Sequence, residues 1–251
     1  MSALSITDLT VKYGRGSVRK TVVDRVDLDV PQGSVLGLVG ESGSGKSTVA
    51  RAILGLVKPA GGTITVGDDE LRRMSARVRA RKVQMIFQDP FGSLNPRMTV
   101  GQSISEALEA RRDIAPKQRR DEVARLLEVV SLPPDLSSRP PGRLSGGQRQ
   151  RVAIARAFAA RPDVIIADEI TSALDVSVQA QVLNVLRGIL QSEGLSMLFI
   201  SHNLAVVRHI SDTVAVMRNG QIVERGAVED VLARPSHPYT QALLDSIPTL
   251  A

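Results

Sequence analysis

Eight consecutive residues, Gly40-Glu41-Ser42-Gly43-Ser44-Gly45-Lys46-Ser47, narrow the folding options of this chain more than any other stretch. They fit the pattern G-x-x-x-x-G-K-[ST], follow an apolar block at residues 35–39 that reads as a buried strand, and precede a helix-compatible run at 48–56. In a strand, glycine-rich turn, helix arrangement the glycines let backbone N–H groups turn inward around phosphate oxygens. The helix N-terminus adds positive potential. Lys46 is placed to reach the β and γ phosphates of a nucleotide and Ser47 to offer its hydroxyl to Mg²⁺. The candidate phosphate-binding set is therefore Gly40, Glu41, Ser42, Gly43, Ser44, Gly45, Lys46, Ser47 and Thr48.

Further short apolar blocks at 83–87, 164–167 and 197–200 read as buried strands. Between and after them come helical spacings, Val123, Leu126, Leu127 and Val130, then Leu183, Leu186 and Leu190. Alternating strands and helices predict a parallel α/β sheet. The beginning differs: residues 4–11 and 22–30 alternate apolar and polar and predict an antiparallel hairpin, as does the segment 62–67. From about 89 to 160 no strand pattern is found, and Pro133-Pro134 and Pro140-Pro141-Gly142 punctuate it, which predicts a helical lobe inserted between core strands. With 251 residues, 43% hydrophobic and 23% charged, the composition fits one domain with two lobes and excludes a disordered or collagen-like protein.

The net charge of +6 raises nucleic acid or anionic lipid as a partner, but aromatics are only 2%, too few for a single-strand stacking platform. Zero cysteines exclude disulfides, thiolate zinc sites, cysteine nucleophiles and protein-thiolate iron–sulfur clusters within these residues. The first residues show no secretory signal pattern, and no apolar run approaches the length of a spanning helix.

Four apolar blocks end in polar groups, and in open α/β sheets ligands bind beyond the carboxyl ends of strands. One end is the phosphate-type loop. The block at 164–167 runs into Asp168 and Glu169, whose alternation along a strand would send them to different tasks, one ordering Mg²⁺ and one polarising a water. Gln88 follows the block at 83–87 and His202 follows that at 197–200, where the histidine is placed to contact a γ-phosphate. A second Gly-Gly turn, Leu144-Ser145-Gly146-Gly147-Gln148, opens a helical run to 160 and forms another anion cradle.

In this order the motifs resemble the ATP-binding cassette family of ATPases over nearly the whole chain: Walker A at 40–47, the Q-loop at Gln88, the signature at 144–148, Walker B at 164–169, the D-loop at Ser172-Ala173-Leu174-Asp175 and the switch histidine at His202. The resemblance implies an α/β P-loop NTPase cassette with a RecA-like core, an N-terminal antiparallel β subdomain and a helical subdomain at about 89–161. It implies ATP and Mg²⁺ as ligands. Glu169 would be the general base or water-orienting group, Asp168 and Gln88 would complete the Mg²⁺ shell with Ser47, and Lys46 and His202 would hold the reacting phosphates. Two cassettes of this family pair head to tail, so Ser145, Gly146, Gly147, Gln148 and Asp175 would meet ATP on the opposite copy, and Tyr13 stands at the place of the adenine-stacking aromatic.

A narrower resemblance rests on Phe87-Gln88-Asp89-Pro90-Phe91-Gly92-Ser93-Leu94-Asn95-Pro96-Arg97 and on His237-Pro238-Tyr239-Thr240. Both are similar to ATPase subunits of bacterial importers for oligopeptides, dipeptides, nickel or metal chelates. That implies transmembrane permease subunits, a second cassette (identical or paralogous) and, indirectly, an extracytoplasmic substrate-binding protein as partners. It also implies a peripheral place on the cytoplasmic face of the inner membrane, and no nucleic acid. Relatives with a longer C-terminal extension can carry cluster-binding cysteines; this sequence stops at Ala251 and has none.

Two residues depart from the family pattern: Ile170 stands where proline is usual, leaving the path to the D-loop less restricted, and Asn203 where aspartate is common. Arg72, Arg73, Arg77, Arg79, Arg81 and Lys82 read as a solvated face without assigned function. The alternative, a soluble cassette ATPase acting on ribosomes or DNA, fits less well. Lys46 and Asp168 lie too close in sequence for the long coiled coil of the DNA-acting type, and the ribosome-acting type usually fuses two cassettes. A non-catalytic cassette is disfavoured by the presence of Lys46, Glu169 and His202 together.

Overall fold

Leu4, Ile6, Leu9 and Val11 are spaced two, three and two residues apart, which a plain strand cannot bury on one face. The computed structural model describes residues 1–14, 19–111 and 113–245, without the side chains of Pro90 and Phe91, and it shows how the backbone absorbs the extra residue. Strand β1 (Ser2–Tyr13) pairs antiparallel with β2 (Lys20–Pro31), and the register shifts on either side of the Leu9↔Val26 pair. Asp8 and Arg25 take left-handed φ of 52° and 49°, while Asp27 Oδ1 accepts the Asp8 N–H at 2.8 Å. These bulges bury all four residues of β1 together with Val23, Val26, Leu28 and Val30 of β2.

Contacts divide the chain into two units, Met1–Arg79 with Ser196–Ala251, and Ala80–Leu195. In chain order β2 is followed by β3 (Val35–Val39), α1 (Lys46–Ile53), β4 (Gly61–Val66), β5 (Asp69–Glu70) and α2 (Ala76–Lys82). Then come β6 (Val83–Ile86), α3 (Pro90–Ser93), α4 (Val100–Leu108), α5 (Arg119–Val129), α6 (Gly146–Ala159), β7 (Val164–Asp168) and α7 (Val176–Glu193). The chain ends through β8 (Ser196–Ser201), α8 (Leu204–Ile210), β9 (Thr213–Arg218), β10 (Gln221–Ala227), α9 (Val228–Ala233) and α10 (Pro238–Asp245).

In the first unit β2, β1, β4 and β5 form an antiparallel sheet in that order. The segment 62–67 is not a hairpin by itself. It is most of β4, whose principal partner is β1, and only Thr65 and Val66 turn back onto Glu70 and Asp69 of β5. Gly62 sits at φ +83° against the Asp8 bulge, where a Cβ would overlap the Asp8 carbonyl. The same unit holds β3 between two parallel neighbours, β8 and β9, with β10 antiparallel at the edge. Every residue of β3 is buried, so it shows the unbroken apolar block of a strand covered on both faces rather than an alternation.

In the second unit β6 and β7 run parallel, their starts held together by the Lys82 Nζ to Asp163 Oδ2 pair at 2.7 Å and the Asp163 N–H to Lys82 carbonyl bond at 2.8 Å. The strand expected to reach Phe87 ends at Ile86, and Phe87 is 45% exposed. All described elements between β6 and β7 are helical. Helix α6 packs against α4, α5, α7 and β6, which is why apolar residues occur all around it. The helix read as 48–56 runs from Lys46 to Ile53 instead, beginning at the glycine turn itself. Among the described residues no helix is long and apolar enough to cross a membrane.

Gly37 in β3 lies under α8: a Cβ there would stand 2.5 Å from Val207 Cγ1 and 2.8 Å from Ser211 Oγ. Although valine is a better strand former than glycine, Gly37→Val is expected to destabilise the protein by about 1–3 kcal/mol through overpacking. Urea unfolding would show this as a lower midpoint with unchanged slope.

Candidate functional site

The first unit carries the glycine-rich loop. Beyond Val39 the backbone reverses through Gly40 (φ +151°), Gly43 (φ +82°) and Gly45 (φ +113°), a sequence of angles that side-chain-bearing residues resist. Gly45 also serves as N-cap of α1, so the helix starts at Lys46. A Cβ at Gly40 would run into the Met217 carbonyl, and one at Gly45 would stand 2.8 Å from Met217 Cε and 2.9 Å from the Val22 carbonyl. At Gly43 nothing lies within 4 Å, so the loop is packed from behind and open in front. Lys46 is 5% exposed, and its ammonium donates to the carbonyls of Gly40 at 2.7 Å and Glu41 at 2.8 Å. An open nest of backbone amides with a buried ammonium across its base fits a polyphosphate. Glu41, Ser42 and Ser47 are exposed, whereas Ser44 and Thr48 are buried.

His202 follows β8, and Val39 faces Ser201 in register, so the chain leaves adjacent strands at Gly40 and His202. The strand pairing thus delivers the exposed His202 to the loop's starting point. Asn203 is the N-cap of α8; its Oδ1 accepts the N–H groups of Ala205 at 3.0 Å and Val206 at 3.3 Å. The departure from aspartate therefore changes nothing in the cap, because the amide oxygen accepts the same bonds. Tyr13 ends β1 with its side chain 38% exposed.

The second unit carries the acidic pair. Strand β7 ends at Asp168, and Glu169 takes a left-handed φ of 50°. The two carboxylates are separated by this reversal rather than by alternation within a strand, which corrects the expectation from the sequence. The Ser172 N–H and hydroxyl both donate to the Glu169 carbonyl, at 3.1 and 2.9 Å. Gln88 Nε2 donates to Ser172 Oγ at 3.1 Å, which leaves the Gln88 amide oxygen as the group able to face a cation. Ile170 is 1% exposed and Thr171 4%, with Gln179 Nε2 donating to Thr171 Oγ1 at 3.1 Å. Burial and hydrogen bonds thus restrain the path that the missing proline was expected to leave looser.

The signature residues are engaged locally. Ser145 Oγ accepts the Gln148 N–H at 3.3 Å and Gln148 Oε1 accepts the Ser145 N–H at 3.0 Å, a reciprocal cap on α6. Gly147 is small because α7 is close, its Cβ position overlapping Val178 Cγ1, and Gly146 faces Leu174 Cδ2 at 3.5 Å. Asp175 caps α7, accepting the Val178 N–H at 2.9 Å and the Ser177 hydroxyl at 2.8 Å, and those two bonds hold its carboxyl below the usual range.

The loop, Tyr13 and His202 thus belong to one unit, and Gln88, Asp168, Glu169, the signature residues and Asp175 to the other. The donors named for a metal are a hydroxyl, an amide oxygen and a carboxylate, a hard set that suits Mg²⁺. Among the described residues no cluster of three or more histidine, cysteine or acidic side chains competes for one. Sequence reasoning passed over Met217 and Gly220 behind the loop, for which the Asn219-Gly220 turn dipeptide was the local signal, and read Tyr239 beside the loop only as part of the His-Pro-Tyr-Thr segment.

Residues 23–172 match the family model described as ABC transporter, and residues 223–251 match that described as the oligopeptide/dipeptide transporter C-terminal region. A Brucella ovis protein named for peptide import and ATP binding is 48% identical over 249 residues, covering 98% of this chain and 78% of its own length. An Escherichia coli protein named for D,D-dipeptide transport and ATP binding is 46% identical over 237 residues, covering 94% and 74%. A dimeric ATP-binding cassette solved in a post-hydrolysis state with ADP and Pi superposes with TM-score 0.79 at 26% identity, over 90% of this chain and 98% of that one.

Asn203→Asp is expected to leave stability within about 0.5 kcal/mol, whereas Asn203→Ala loses about 1 kcal/mol with the cap. Chemical denaturation of the two variants side by side checks both figures.

Proposed function

The chain belongs to the ABC transporter family of ATPases, and from that premise we propose that it is the ATP-hydrolysing subunit of a bacterial importer of peptides. The observation that carries the cargo reading is the pair of independent matches, the cassette over residues 23–172 and the oligopeptide/dipeptide region over 223–251. Both relatives named above point to peptides or dipeptides. Nickel and metal chelates, which the sequence resemblance leaves open, have no counterpart in those two names. Action on ribosomes or DNA is the less favoured reading, since both family matches and both relatives point to a transporter.

ATP is the substrate. The loop amides and Lys46 bind its β and γ phosphates, Tyr13 stacks on the adenine, and His202 holds the γ-phosphate. Glu169 orients a water and takes its proton as the water oxygen bonds to the γ phosphorus and the bond to the β–γ bridging oxygen breaks, giving ADP and phosphate. Ser47, Asp168 and Gln88 would hold Mg²⁺, and the chemistry it would supply when bound is neutralisation of phosphate charge. Ser145, Gly146, Gly147, Gln148 and Asp175 contact the ATP of a second cassette, identical or paralogous. The work is delivered to separate transmembrane permeases, loaded by an extracytoplasmic binding protein, with this subunit peripheral on the cytoplasmic face.

Glu169→Gln is expected to bind ATP as the wild type does while losing turnover by at least about a hundredfold; a substantial residual rate would remove Glu169 from its role. Purification of the chain from its native membrane in detergent, with mass identification, is expected to recover two multi-span permeases and a second cassette. Recovery of ribosomes or DNA-bound proteins instead would overturn the transport reading.

A further inference from the structure

The His-Pro-Tyr-Thr segment, which sequence reasoning used only as a family mark, touches the phosphate loop. Tyr239 is 6% exposed, and its hydroxyl accepts the Glu41 backbone N–H at 3.0 Å across 198 residues of sequence. The ring lies beneath the Arg218 guanidinium, 4.7 Å from its centroid, at the end of β9. Tyr239 is itself held. Its N–H donates to His237 Nδ1 at 3.1 Å, and Glu224 on β10 accepts the N–H groups of Ser236 at 2.7 Å and His237 at 3.1 Å, with the Ser236 hydroxyl at 2.7 Å. Burial pushes the Glu224 carboxyl up, but the Thr240 side chain, together with the Ser236 and His237 hydrogen bonds, outweighs it and holds the group at about 2, so it stays ionised and keeps accepting at any physiological pH. A second tie reaches the loop from the same side: the Gly220 N–H in the β9–β10 turn donates to the Ser44 carbonyl at 2.9 Å.

A loop with three glycines at positive φ has many conformations to lose on closing around phosphates. Ties that order it beforehand remove part of that cost from binding. The Glu41 N–H is also an amide that would otherwise compete to point elsewhere, and Tyr239 aims it at the C-terminal segment. We propose that Tyr239 is a positioning residue for the nucleotide loop, its hydroxyl fixing the Glu41 end so that the segment from Glu224 to Tyr239 sets the affinity for the nucleotide. The proposal rests on the reading that residues 40–47 bind ATP phosphates. Tyr239 acts through the backbone of Glu41 and touches no reacting atom.

The test is titration of the full chain with fluorescent ATP and ADP analogues, alongside steady-state ATPase kinetics and thermal denaturation. Tyr239→Phe keeps the ring under Arg218 and deletes only the hydroxyl. It is expected to weaken both nucleotides about three- to tenfold and raise KM by the same factor, with kcat within about twofold and Tm within about 2 °C of wild type. Glu224→Gln, which loosens the turn that presents Tyr239, is expected to shift affinity in the same direction by a smaller factor. Unchanged affinity in Tyr239→Phe overturns the proposal, as does a loss of affinity matched by a fall in Tm, since that reports general structural damage. Failure of the wild-type chain to bind either nucleotide would instead defeat the reading of the loop itself, and this inference with it.

Discussion

The backbone reversal between β3 and α1 is the constraint on which the first unit depends. A strand buried on both faces must pass into a helix without a gap, and it does so by way of left-handed glycines at 40, 43 and 45, backed by the Met217 carbonyl and side chain and the Val22 carbonyl. Those neighbours leave no room for a Cβ at two of the three positions, so loop and backing are made for each other. The Lys46 ammonium on the Gly40 and Glu41 carbonyls closes the turn from inside. The β8–β3–β9 order then follows a functional logic: one neighbour delivers His202 beside the loop, and the other supplies the wall behind it.

Several residues assigned to nucleotide contact also terminate helices. Ser145 with Gln148, and Asp175, each satisfy N–H groups that a helix cannot pair internally. The reciprocal Ser145 and Gln148 cap leaves the N–H groups of Gly146 and Gly147 outside the cap's own bonds, at the positive end of a fourteen-residue helix. The proposed phosphate contact and the cap are therefore served by different atoms of one short motif. At the acidic site Ser172 plays the comparable supporting part, joining Gln88 to the Glu169 turn through a single hydroxyl.

Where a residue's role depends on local chemistry, the sequence was legible. The glycine pattern, the apolar blocks of the strands and the helix-capping serine all act over a few neighbouring residues, and the observed elements follow them closely. Where roles depend on distant partners, local reading failed in identifiable ways. The simple alternation expected for the first two strands ignored the matched bulges at Asp8 and Arg25, because each bulge exists only to keep register with the other strand. The segment 62–67 looked like a hairpin because its own turn residues say so, yet its main partner is β1, far earlier in the chain.

The amino-acid sequence by itself determined that this chain has a nucleotide-type loop, the polar groups that end its strands, and membership in a family of ATPases, since those features are written in contiguous residues whose spacing carries the chemistry. Only the tertiary structure decided that Glu169 leaves its strand through a left-handed turn, that Ile170 is restrained by burial, and that Tyr239 meets Glu41. Each of these depends on where a remote piece of backbone comes to rest, and a hydrogen bond spanning 198 residues has no local signature.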